Sequence, residues 1–333
     1  MKLSVVILCW NDRGVITDCL RSIFATTKST KFEVIVADNG STDGSIELIR
    51  SSYPGVRVIE NGRNLRFAKA NNVAIQACRG EYILILNPDT IIHEGALDRM
   101  IQFADRHSEA GAFGCRVLNP DGSYQVSARP FASLRAEWIA ALYLRGMGRF
   151  HRWFRADSYA GWNGTSERQV DWVSGCFILA RRALLKSIGG FDEQFFYYYE
   201  DMDLCHRVWK AGQSILFTPC ATITHLGGQS TKSRFPALSF VLDSQVTRYL
   251  YYYKYLGRRG VRRARRVALV SAFLRGLGYG VKQLIWSTEL GRGRLEVFRG
   301  LLEWNYRVDP VRLVEKGEEP TLRAPVGARV LER

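Results

Sequence analysis

The first 116 residues alternate between short apolar segments and segments in which apolar side chains recur at helical spacing. The apolar segments are LSVVILC at 3–9, FEVIVAD at 32–38, VRVIE at 56–60 and YILILN at 82–87. The first intervening segment shows the helical spacing at Val15, Ile16, Cys19, Leu20, Ile23 and Phe24. Strands that alternate with helices form a mostly parallel sheet with helices on both faces. The sequence therefore predicts an α/β fold that binds its ligands beyond the carboxyl ends of the strands.

Polar residues follow three of these predicted strands: Asn11, Asp38 and the Asn87-Pro88-Asp89 turn. In that turn the oxygens of Asn87 and Asp89 can converge on one hard cation while the proline stiffens the backbone. A divalent ion bound together with phosphates needs only one or two protein carboxylates. An ordinary turn is the alternative interpretation. The position directly after a buried strand favours a functional site.

A second acidic centre lies in residues 189–207, which read GGFDEQFFYYYEDMDLCHR. Glu200, Asp201 and Asp203 begin a predicted helix directly after a run of aromatic residues. Carboxylates favour the positive end of a helix, but capping accounts for only one of the three. A carboxylate among aromatic rings is partly desolvated, which makes it a better proton acceptor. This segment is therefore predicted to hold a catalytic group.

Two further short strands are expected at 214–217 and 221–228, with His225 near the end of the second. A lone histidine is more often structural than functional. Here it precedes the segment GGQSTKS at 227–233, a donor-rich loop of the kind that closes over phosphates.

The carboxyl-terminal part of the chain is strongly basic. The whole chain carries a net charge of +15, and the stretch from Arg258 to Arg299 has eleven Lys or Arg against two Glu. Trp286 lies within this stretch and Trp304 lies shortly after it, and helices that lie on anionic membranes combine tryptophan with cations in this way. A solvated amphipathic hairpin is the alternative. No uncharged apolar run reaches the roughly 18 residues of a membrane span.

These patterns divide the chain into a catalytic domain at 1–235, a basic helical extension at 236–313 and a disordered tail at 314–333. Residues 129–162 are expected to form a helical, partly mobile insertion that acts as a lid or acceptor-binding loop. The seven cysteines are scattered and mostly lie in apolar runs, which indicates reduced core thiols in a cytoplasmic protein.

Several motifs, in order, resemble those of family 2 glycosyltransferases of the rhamnosyltransferase-like branch. They are VVILCWN, VIVADNGSTDGS, NGRNLRFAKANN, YILILNPDT and WVSGCFILARRALLKSIGGFDEQFFYYYEDMDLCHR, followed by His225. The resemblance covers about residues 1–255 and implies a GT-A fold with a Rossmann-like sheet. It also implies transfer of a sugar, with inversion, from a nucleotide-diphosphate donor with Mg²⁺ or Mn²⁺ as cofactor. L-rhamnose from dTDP-rhamnose is the donor that this branch suggests.

The resemblance also implies roles for individual residues. Asp201 matches the catalytic base, and Asp89 with His225 would hold the metal, Asn87 standing in the first acidic position of a DXD-type motif. The implied donor-binding residues are Leu8, Trp10, Asn11, Asp38, Asn64, Arg66, Lys69, Asn87 and Asp89. The implied acceptor or sugar pocket contains Asp192, Glu200 and Trp172. Arg66 and Lys69 depart from the small residues usual in this branch, and Asn87 replaces an aspartate, which lowers the charge of the site.

Three functions remain open from the residues alone. The first is an inverting glycosyltransferase that builds a cell-surface polysaccharide on a saccharide or lipid-linked saccharide acceptor. The second is a metal-dependent nucleotidyltransferase, although CWNDRG after the first strand offers only one glycine for a phosphate loop. The third is a non-catalytic module that binds polyanions or membranes, which leaves the acidic centres unexplained. We expect a cytoplasmic protein held at the inner face of the cell membrane by anionic lipid, with no nucleic-acid partner; a homodimer is compatible with the sequence.

Overall fold

The computed structural model describes residues 1–154, 159, 162–196, 198–227, 237–286 and 288–317. The chain divides into two compact units, one of residues 1–133 and 148–234 and one of residues 134–147 and 235–333. The predicted phosphate loop from residue 228 onward lies outside the described residues, as does Tyr197 of the aromatic run. The predicted disordered tail at 314–333 starts too early, because residues 314–316 belong to the helix Pro310–Lys316. The part of that tail from residue 318 onward lies outside the described residues.

The described residues form the following elements. The strands are β1 Leu3–Cys9, β2 Phe32–Asp38, β3 Arg57–Glu60, β4 Tyr82–Leu86, β5 Thr90–Ile92, β6 Ala110–Leu118, β7 Tyr124–Gln125, β8 Ala128–Arg129, β9 Arg168–Gln169, β10 Trp172–Val173, β11 Phe177–Arg181 and β12 Ser214–His225. The α-helices are α1 Arg13–Thr26, α2 Ser45–Ser52, α3 Arg66–Ala77, α4 Ala96–Arg106, α5 Leu134–Ala141, α6 Arg182–Ser187, α7 Glu200–Lys210, α8 Ala237–Ile285, α9 Glu289–Arg307 and α10 Pro310–Lys316. Short 3₁₀ helices span Leu144–Arg149 and Arg152–Phe154.

One sheet organises the first unit, in the strand order β3-β2-β1-β4-β11-β6-β12-β5. The first four of these strands are parallel, which confirms the predicted alternation of strand and helix. Strand β11 enters between β4 and β6 and is antiparallel to both. In the parallel part, Cys9 of β1 stands level with Asp38 of β2, so both strands end at the same edge. The predicted α/β fold class is confirmed.

Strand β1 is buried on both faces because helices cover both sides of the sheet. Leu3, Val5 and Ile7 belong to one core cluster, and Val6 belongs to the cluster on the opposite face. A strand buried on both faces needs apolar residues at successive positions, which accounts for the continuous run LSVVILC. All seven cysteines, each within the described residues, are free, and six of them are buried.

One sequence expectation about the strands is wrong. Residues 214–217 and 221–228 are not two separate strands, because β12 runs from Ser214 to His225. Its pairing with β6 shifts register between Thr218 and Thr222, around Pro219. Proline lacks the N–H that a ladder needs, so it is accommodated at such an irregularity. The continuous strand delivers His225 beside Thr90 of β5.

The second unit is helical, and its longest helix, α8, contains a kink. Gly257 within α8 has φ 62° and ψ −166°, a backbone conformation outside the helical region. The ring of Tyr249 on α8 stacks on that of Trp304 on α9 with centroids 6.3 Å apart. Arg248 of α8 forms an ion pair with Glu137 of α5. Among the described residues, no helix combines the length and apolarity needed to cross a bilayer.

Candidate functional site

The ends of β1 and β2 are tied together by side-chain hydrogen bonds to the loop after β2. Asn11, in the left-handed region with φ 57°, accepts a hydrogen bond from the Thr42 backbone N–H at 2.7 Å. The backbone N–H of Asn11 donates to Ser41 Oγ at 2.8 Å. The carboxylate of Asp38 is 3 % exposed and accepts from the N–H groups of Gly40 and Ser41. This network holds Asn11 and Asp38 at one rim of the sheet, where a parallel sheet binds ligands.

Asn39, which the sequence reasoning missed, organises the neighbouring loop that leads into α3. Its Nδ2 donates to Asn64 Oδ1 at 3.2 Å, and its Oδ1 accepts from Asn61 Nδ2 at 3.1 Å and from the Leu65 N–H at 3.3 Å. Asn64 Oδ1 in turn accepts from the backbone N–H of Arg66 at 2.8 Å. The buried Asn39 side chain therefore fixes the loop on which Asn64 and Arg66 lie.

The Asn87-Pro-Asp89 turn meets the end of β12. Asp89 Oδ1 lies 3.2 Å from His225 Nε2, and Asn87 Nδ2 lies 3.3 Å from the same nitrogen. Asp89 is 4 % exposed, and its carbonyl oxygen accepts from the Leu226 N–H at 2.9 Å. Three potential ligand side chains thus converge although 136 residues separate Asp89 from His225 in the sequence.

A chain of hydrogen bonds, also unforeseen, supports the other side of the His225 ring. His225 Nδ1 lies 2.8 Å from Gln125 Oε1, while Gln125 Nε2 donates to Asn119 Oδ1 at 3.1 Å. Asn119 Nδ2 donates to Ser123 Oγ at 2.8 Å, and Ser123 Oγ donates to Asp121 Oδ1 at 2.6 Å. The bonds from Ser123 hold the pKa of Asp121 below its usual range, so the chain ends on an ionised acceptor.

Asp201 is the second residue of α7, and backbone N–H groups donate to both of its carboxylate oxygens. Oδ2 accepts from the Gly175 N–H at 3.0 Å, and Oδ1 accepts from the Met202 N–H at 2.7 Å. Glu200 Oε2 is buried with no hydrogen-bond partner. Asp203 is fully buried in an ion pair with Arg207, whose Nε lies 2.8 Å from Asp203 Oδ2. The three acids therefore stand in three different environments.

Those environments separate the protonation of Glu200 from that of Asp201. Burial, followed by the negative charge of Asp201, raises the pKa of Glu200 to about 8. Burial also raises the pKa of Asp201, while the hydrogen bonds from Gly175 and Met202 oppose that rise. Because the backbone donors favour ionised Asp201, a proton shared by this pair resides on Glu200. At neutral pH the pair therefore presents one carboxylate, Asp201, and one neutral acid.

The backbone before α7 is strained. Tyr198 and Tyr199 have φ values of 62° and 68°, the left-handed region that side chains disfavour. Each such residue costs on the order of 1–3 kcal/mol, and strain of this kind accumulates at functional sites. The predicted aromatic surface is not continuous, because Phe191 and Phe195 are buried in the core while Tyr198 is 49 % exposed. The aromatic residues that precede α7 are therefore divided between the core and the surface.

The two acidic centres adjoin the same short segment that precedes β11. Gly175 donates its N–H to Asp201, and the carbonyl oxygen of Cys176 accepts from the Asn87 N–H at 3.2 Å. Burial, with the charges of Asp89 and Asp201 adding to it, raises the pKa of Cys176 to about 12. The Gly175–Cys176 segment therefore connects the strand-end turn to the first turn of α7.

The other predicted residues take varied positions. The Arg66 guanidinium lies 4.2 Å from the ring centroid of Phe196, and Lys69 Nζ lies 4.0 Å from a carboxylate oxygen of Glu193, so both cations reach the segment before α7. Leu8 and Trp10 are half-buried at the end of β1. Two predicted pocket residues engage the protein itself: Trp172 Nε1 donates to the Pro130 carbonyl at 2.9 Å, and Asp192 Oδ1 accepts from the Gln194 N–H at 3.0 Å.

Comparison with known proteins shows which proteins this chain is similar to. The Glycosyl transferase family 2 profile matches residues 4–189. The N-acetylglucosaminyl-diphospho-decaprenol L-rhamnosyltransferase of Mycobacterium tuberculosis is 36 % identical over 214 residues, which is 60 % of this chain and 67 % of that protein. The rhamnosyltransferase WbbL of Escherichia coli is 29 % identical over 214 residues, 61 % of this chain and 76 % of that protein.

Solved structures agree on the fold. The mannosyltransferase PcManGT from Pyrobaculum calidifontis, in complex with GDP-Man and Mn²⁺, superposes with a TM-score of 0.52 at 15 % identity, covering 92 % of this chain and 86 % of its own. The S. aureus TarS 1-349 structure gives a TM-score of 0.50 at 16 % identity over 92 % and 91 %. The profile covers more than half of the chain. The chain belongs to glycosyl transferase family 2, with rhamnosyltransferases among its relatives and a GT-A fold.

Proposed function

We propose that this glycosyltransferase moves a sugar, with inversion, from a nucleotide-diphosphate donor to a saccharide or lipid-linked saccharide acceptor. The observation that carries the proposal is the pair of acidic centres on either side of the Gly175–Cys176 segment. One centre, Asn87 with Asp89, has the chemistry to receive a diphosphate with its cation. The other, Asp201, has the chemistry to accept a proton. Inverting transfer needs both functions at separate positions.

Asp201 is proposed as the general base. Its carboxylate is held by two backbone N–H groups, and the neighbouring acid with the higher pKa retains the proton. An ionised, partly desolvated carboxylate takes the proton of an acceptor hydroxyl as that hydroxyl attacks the sugar. The bond to the leaving diphosphate breaks on the opposite side in the same displacement, and this geometry inverts the anomeric centre.

Asn87, Asp89 and His225 fit a divalent cation in their donor chemistry. Asp89 and His225 offer a carboxylate and an imidazole nitrogen, and Asn87, whose Nδ2 faces His225 in this structure, would offer its amide oxygen after the amide group rotates. These donors suit Mn²⁺ or Mg²⁺. Among the described residues, no group of three or more His, Cys, Asp or Glu side chains could hold a metal ion. The ion would therefore depend on the phosphates of the donor for further ligands. When bound, it would neutralise the charge that develops on the leaving diphosphate.

Leu8, Trp10, Asn11 and Asp38 are proposed to hold the nucleoside at the rim formed by β1 and β2. Asn64, Arg66 and Lys69 are proposed to face the rest of the donor. The names of the relatives support rhamnose as the transferred sugar, and the name of the Mycobacterium tuberculosis relative supports a lipid-linked saccharide as acceptor. dTDP-rhamnose is proposed as the donor. The sugar pocket is assigned to Asp192, Glu200 and Trp172. A protein with these substrates is expected at the inner face of the cell membrane.

The test is a transfer assay with a panel of nucleotide-sugars and a lipid-linked saccharide acceptor. We expect product with dTDP-rhamnose in the presence of Mn²⁺ or Mg²⁺, and loss of product on chelation. NMR of the purified product should show an anomeric configuration opposite to that of the donor. A product with retained configuration would contradict the role of Asp201, and undiminished transfer after chelation would contradict the metal.

A further inference from the structure

Large apolar side chains lie exposed near the carboxyl end of α8. They are Phe273, Leu277, Val281, Leu284, Ile285 and the adjoining Trp286, and they are between 49 % and 88 % exposed. Intervals of four, four and three residues place the first four on one face of the helix. Single exposed apolar residues are ordinary, but an aligned set marks an interaction surface.

The opposite face of this part of α8 packs on α9. The ring of Tyr279 stacks on that of Phe298 with centroids 5.6 Å apart. A Cβ placed on Gly276 would stand 3.7 Å from the Phe298 Cβ, so the two helices approach closely there. The core of the unit therefore uses the Gly276–Tyr279 face, and it leaves the aligned apolar face uncovered within the described helices.

Arginines continue the exposed face toward the amino end of α8. Arg259, Arg262 and Arg266 are exposed, and their spacing leads in line to Phe273. Within the described part of the chain no acidic side chain pairs with these three, whereas Arg258 pairs with Glu315. From Arg262 to Leu284 the face extends about 33 Å, at about 1.5 Å per residue. One face thus has a basic end and an apolar end.

We propose that this face of α8 docks on an anionic lipid bilayer. The arginines contact lipid phosphates, and the apolar end enters the boundary between headgroups and acyl chains, where Trp286 also suits the interface. A second copy of the chain fits less well. If two α8 helices paired in parallel, the arginines of one copy would face the arginines of the other. If they paired antiparallel, the arginines of one copy would face the leucines of the other. Both arrangements would bury uncompensated charge.

This inference deepens the proposed function because it names the surface that brings the enzyme to a lipid-linked acceptor. It does not depend on which sugar is transferred, and its test measures binding. Full-length protein is sedimented with neutral phosphatidylcholine vesicles and with vesicles that also contain phosphatidylglycerol, at two salt concentrations. We expect binding to the anionic vesicles, weaker as the salt concentration rises.

Two variants separate the contributions of the two ends. Each arginine near an anionic surface contributes about fivefold in affinity, so Arg262→Gln with Arg266→Gln should weaken binding by about 25-fold. The matched control, Arg79→Gln with Arg106→Gln, removes two exposed charges from the other unit and should bind like wild type. If both pairs weaken binding equally, net charge rather than this face is responsible, and the proposal is wrong.

The apolar end is tested with Leu277→Ser combined with Leu284→Ser, which should weaken binding at least about tenfold and at both salt concentrations. Tyr306→Ser, at an 82 % exposed position on α9, is the control. Light scattering reports the mass of each variant in solution. If the wild-type protein does not bind anionic vesicles, the proposal is wrong. A dimeric wild type that the double substitution converts to a monomer also overturns it, since a second copy would then cover this face.

A separate observation concerns Gln125. We infer that Gln125 is a positioning residue that sets the tautomer of His225. The order of donors fixes the orientation of each group: ionised Asp121 accepts from Ser123, Ser123 from Asn119 and Asn119 from the Gln125 amide nitrogen. The Gln125 oxygen then faces His225 Nδ1 and requires a proton on that nitrogen. Nε2 is left with its lone pair toward Asp89, as metal coordination demands.

This role is tested with Gln125→Leu and the conservative Gln125→Glu. Long-range ¹⁵N NMR of the histidine ring should show the proton of wild-type His225 on Nδ1, and this readout needs neither metal nor substrate. Gln125→Leu should weaken Mn²⁺ binding, measured by calorimetry with nucleotide diphosphate, by about 10- to 100-fold. Gln125→Glu should retain the affinity. A proton on Nε2 in wild type, or unchanged tautomer and affinity in Gln125→Leu, overturns the inference.

Discussion

Asp201→Asn should abolish most turnover while the fold remains intact. The asparagine keeps the size of the side chain, and its oxygen can still accept one of the two hydrogen bonds from Gly175 and Met202. The other hydrogen bond is lost at a cost of about 1 kcal/mol. Burial raises the pKa of Asp201 because it destabilises the charged carboxylate. Replacing that carboxylate with a neutral amide removes this destabilisation and offsets the cost of the lost hydrogen bond. We therefore expect the free energy of unfolding to change by less than about 1 kcal/mol, and the transfer rate to fall about 10²- to 10⁴-fold.

Asp203→Asn is the matched comparison, because it makes the same chemical change two residues along α7. Asp203 is fully buried, and its carboxylate balances the charge of Arg207 at 2.8 Å. Breaking a buried ion pair costs about 3 kcal/mol or more. In a unit of this size that loss lowers the melting temperature by about 6–12 °C. Turnover per folded molecule should change little.

The assay combines a transfer rate at saturating donor, nucleotide affinity by calorimetry and melting by circular dichroism. The expected pattern is loss of rate without loss of stability for Asp201→Asn, and the reverse for Asp203→Asn. If Asp201→Asn turns over normally and Glu200→Gln does not, the base is Glu200 and the protonation order inferred for the pair is wrong.

Three further expectations follow from particular contacts. Asp89→Asn should weaken Mn²⁺ binding in the presence of nucleotide by at least about tenfold, and the exposed Asp105→Asn should not, as calorimetry would show. Glu200→Gln should raise the melting temperature more at about pH 8.5 than at about pH 5. The pKa of Glu200 is higher in the folded protein than in the unfolded chain, so protonated Glu200 favours the folded state. That contribution is complete below the unfolded pKa and is lost as the pH rises through the folded pKa. Glutamine does not titrate and therefore avoids this loss. Gly80→Ala should destabilise the fold by about 1–3 kcal/mol in urea denaturation, because its Cβ would meet the Ser4 backbone nitrogen at 2.5 Å, whereas Gly55→Ala, with nothing within 4 Å, should not.

The sequence alone determined the amino-terminal half of the sheet. Strands β1, β2 and β4 lie where continuous apolar runs predicted them, because a strand buried on both faces must be apolar at successive positions. The polar residues after those strands were also identified, since the carboxyl ends of parallel strands share an edge. The acids Glu200, Asp201 and Asp203 were located in the same way, at a helix start beside aromatic residues, whereas the choice of Asp201 as the base came from the family resemblance and stays a prediction. These signals come from residues that are close together in the sequence, so the sequence alone is enough to detect them.

Only the tertiary structure decided which side chains form hydrogen bonds across long separations in the sequence. Gln125 meets His225 across 100 residues, and Asn39 meets Asn64 across 25. Glutamine and asparagine are common surface residues, so nothing in their neighbourhood in the sequence distinguishes a supporting amide from a solvated one. The antiparallel entry of β11 between β4 and β6 was equally invisible, because an apolar strand carries no sign of its direction.

Exposure was the other property that only the folded chain decided. Phe273 and Leu277 occupy positions that the sequence cannot distinguish from core positions such as Val267 and Ala268, which are buried. The aromatic run before α7 likewise divided into buried Phe191 and exposed Tyr198. Helical periodicity states which residues share a face, but the partner that covers each face is chosen by packing. In α8 the face that contains Gly276 and Tyr279 packs on α9, and this packing leaves the arginine and leucine face toward solvent.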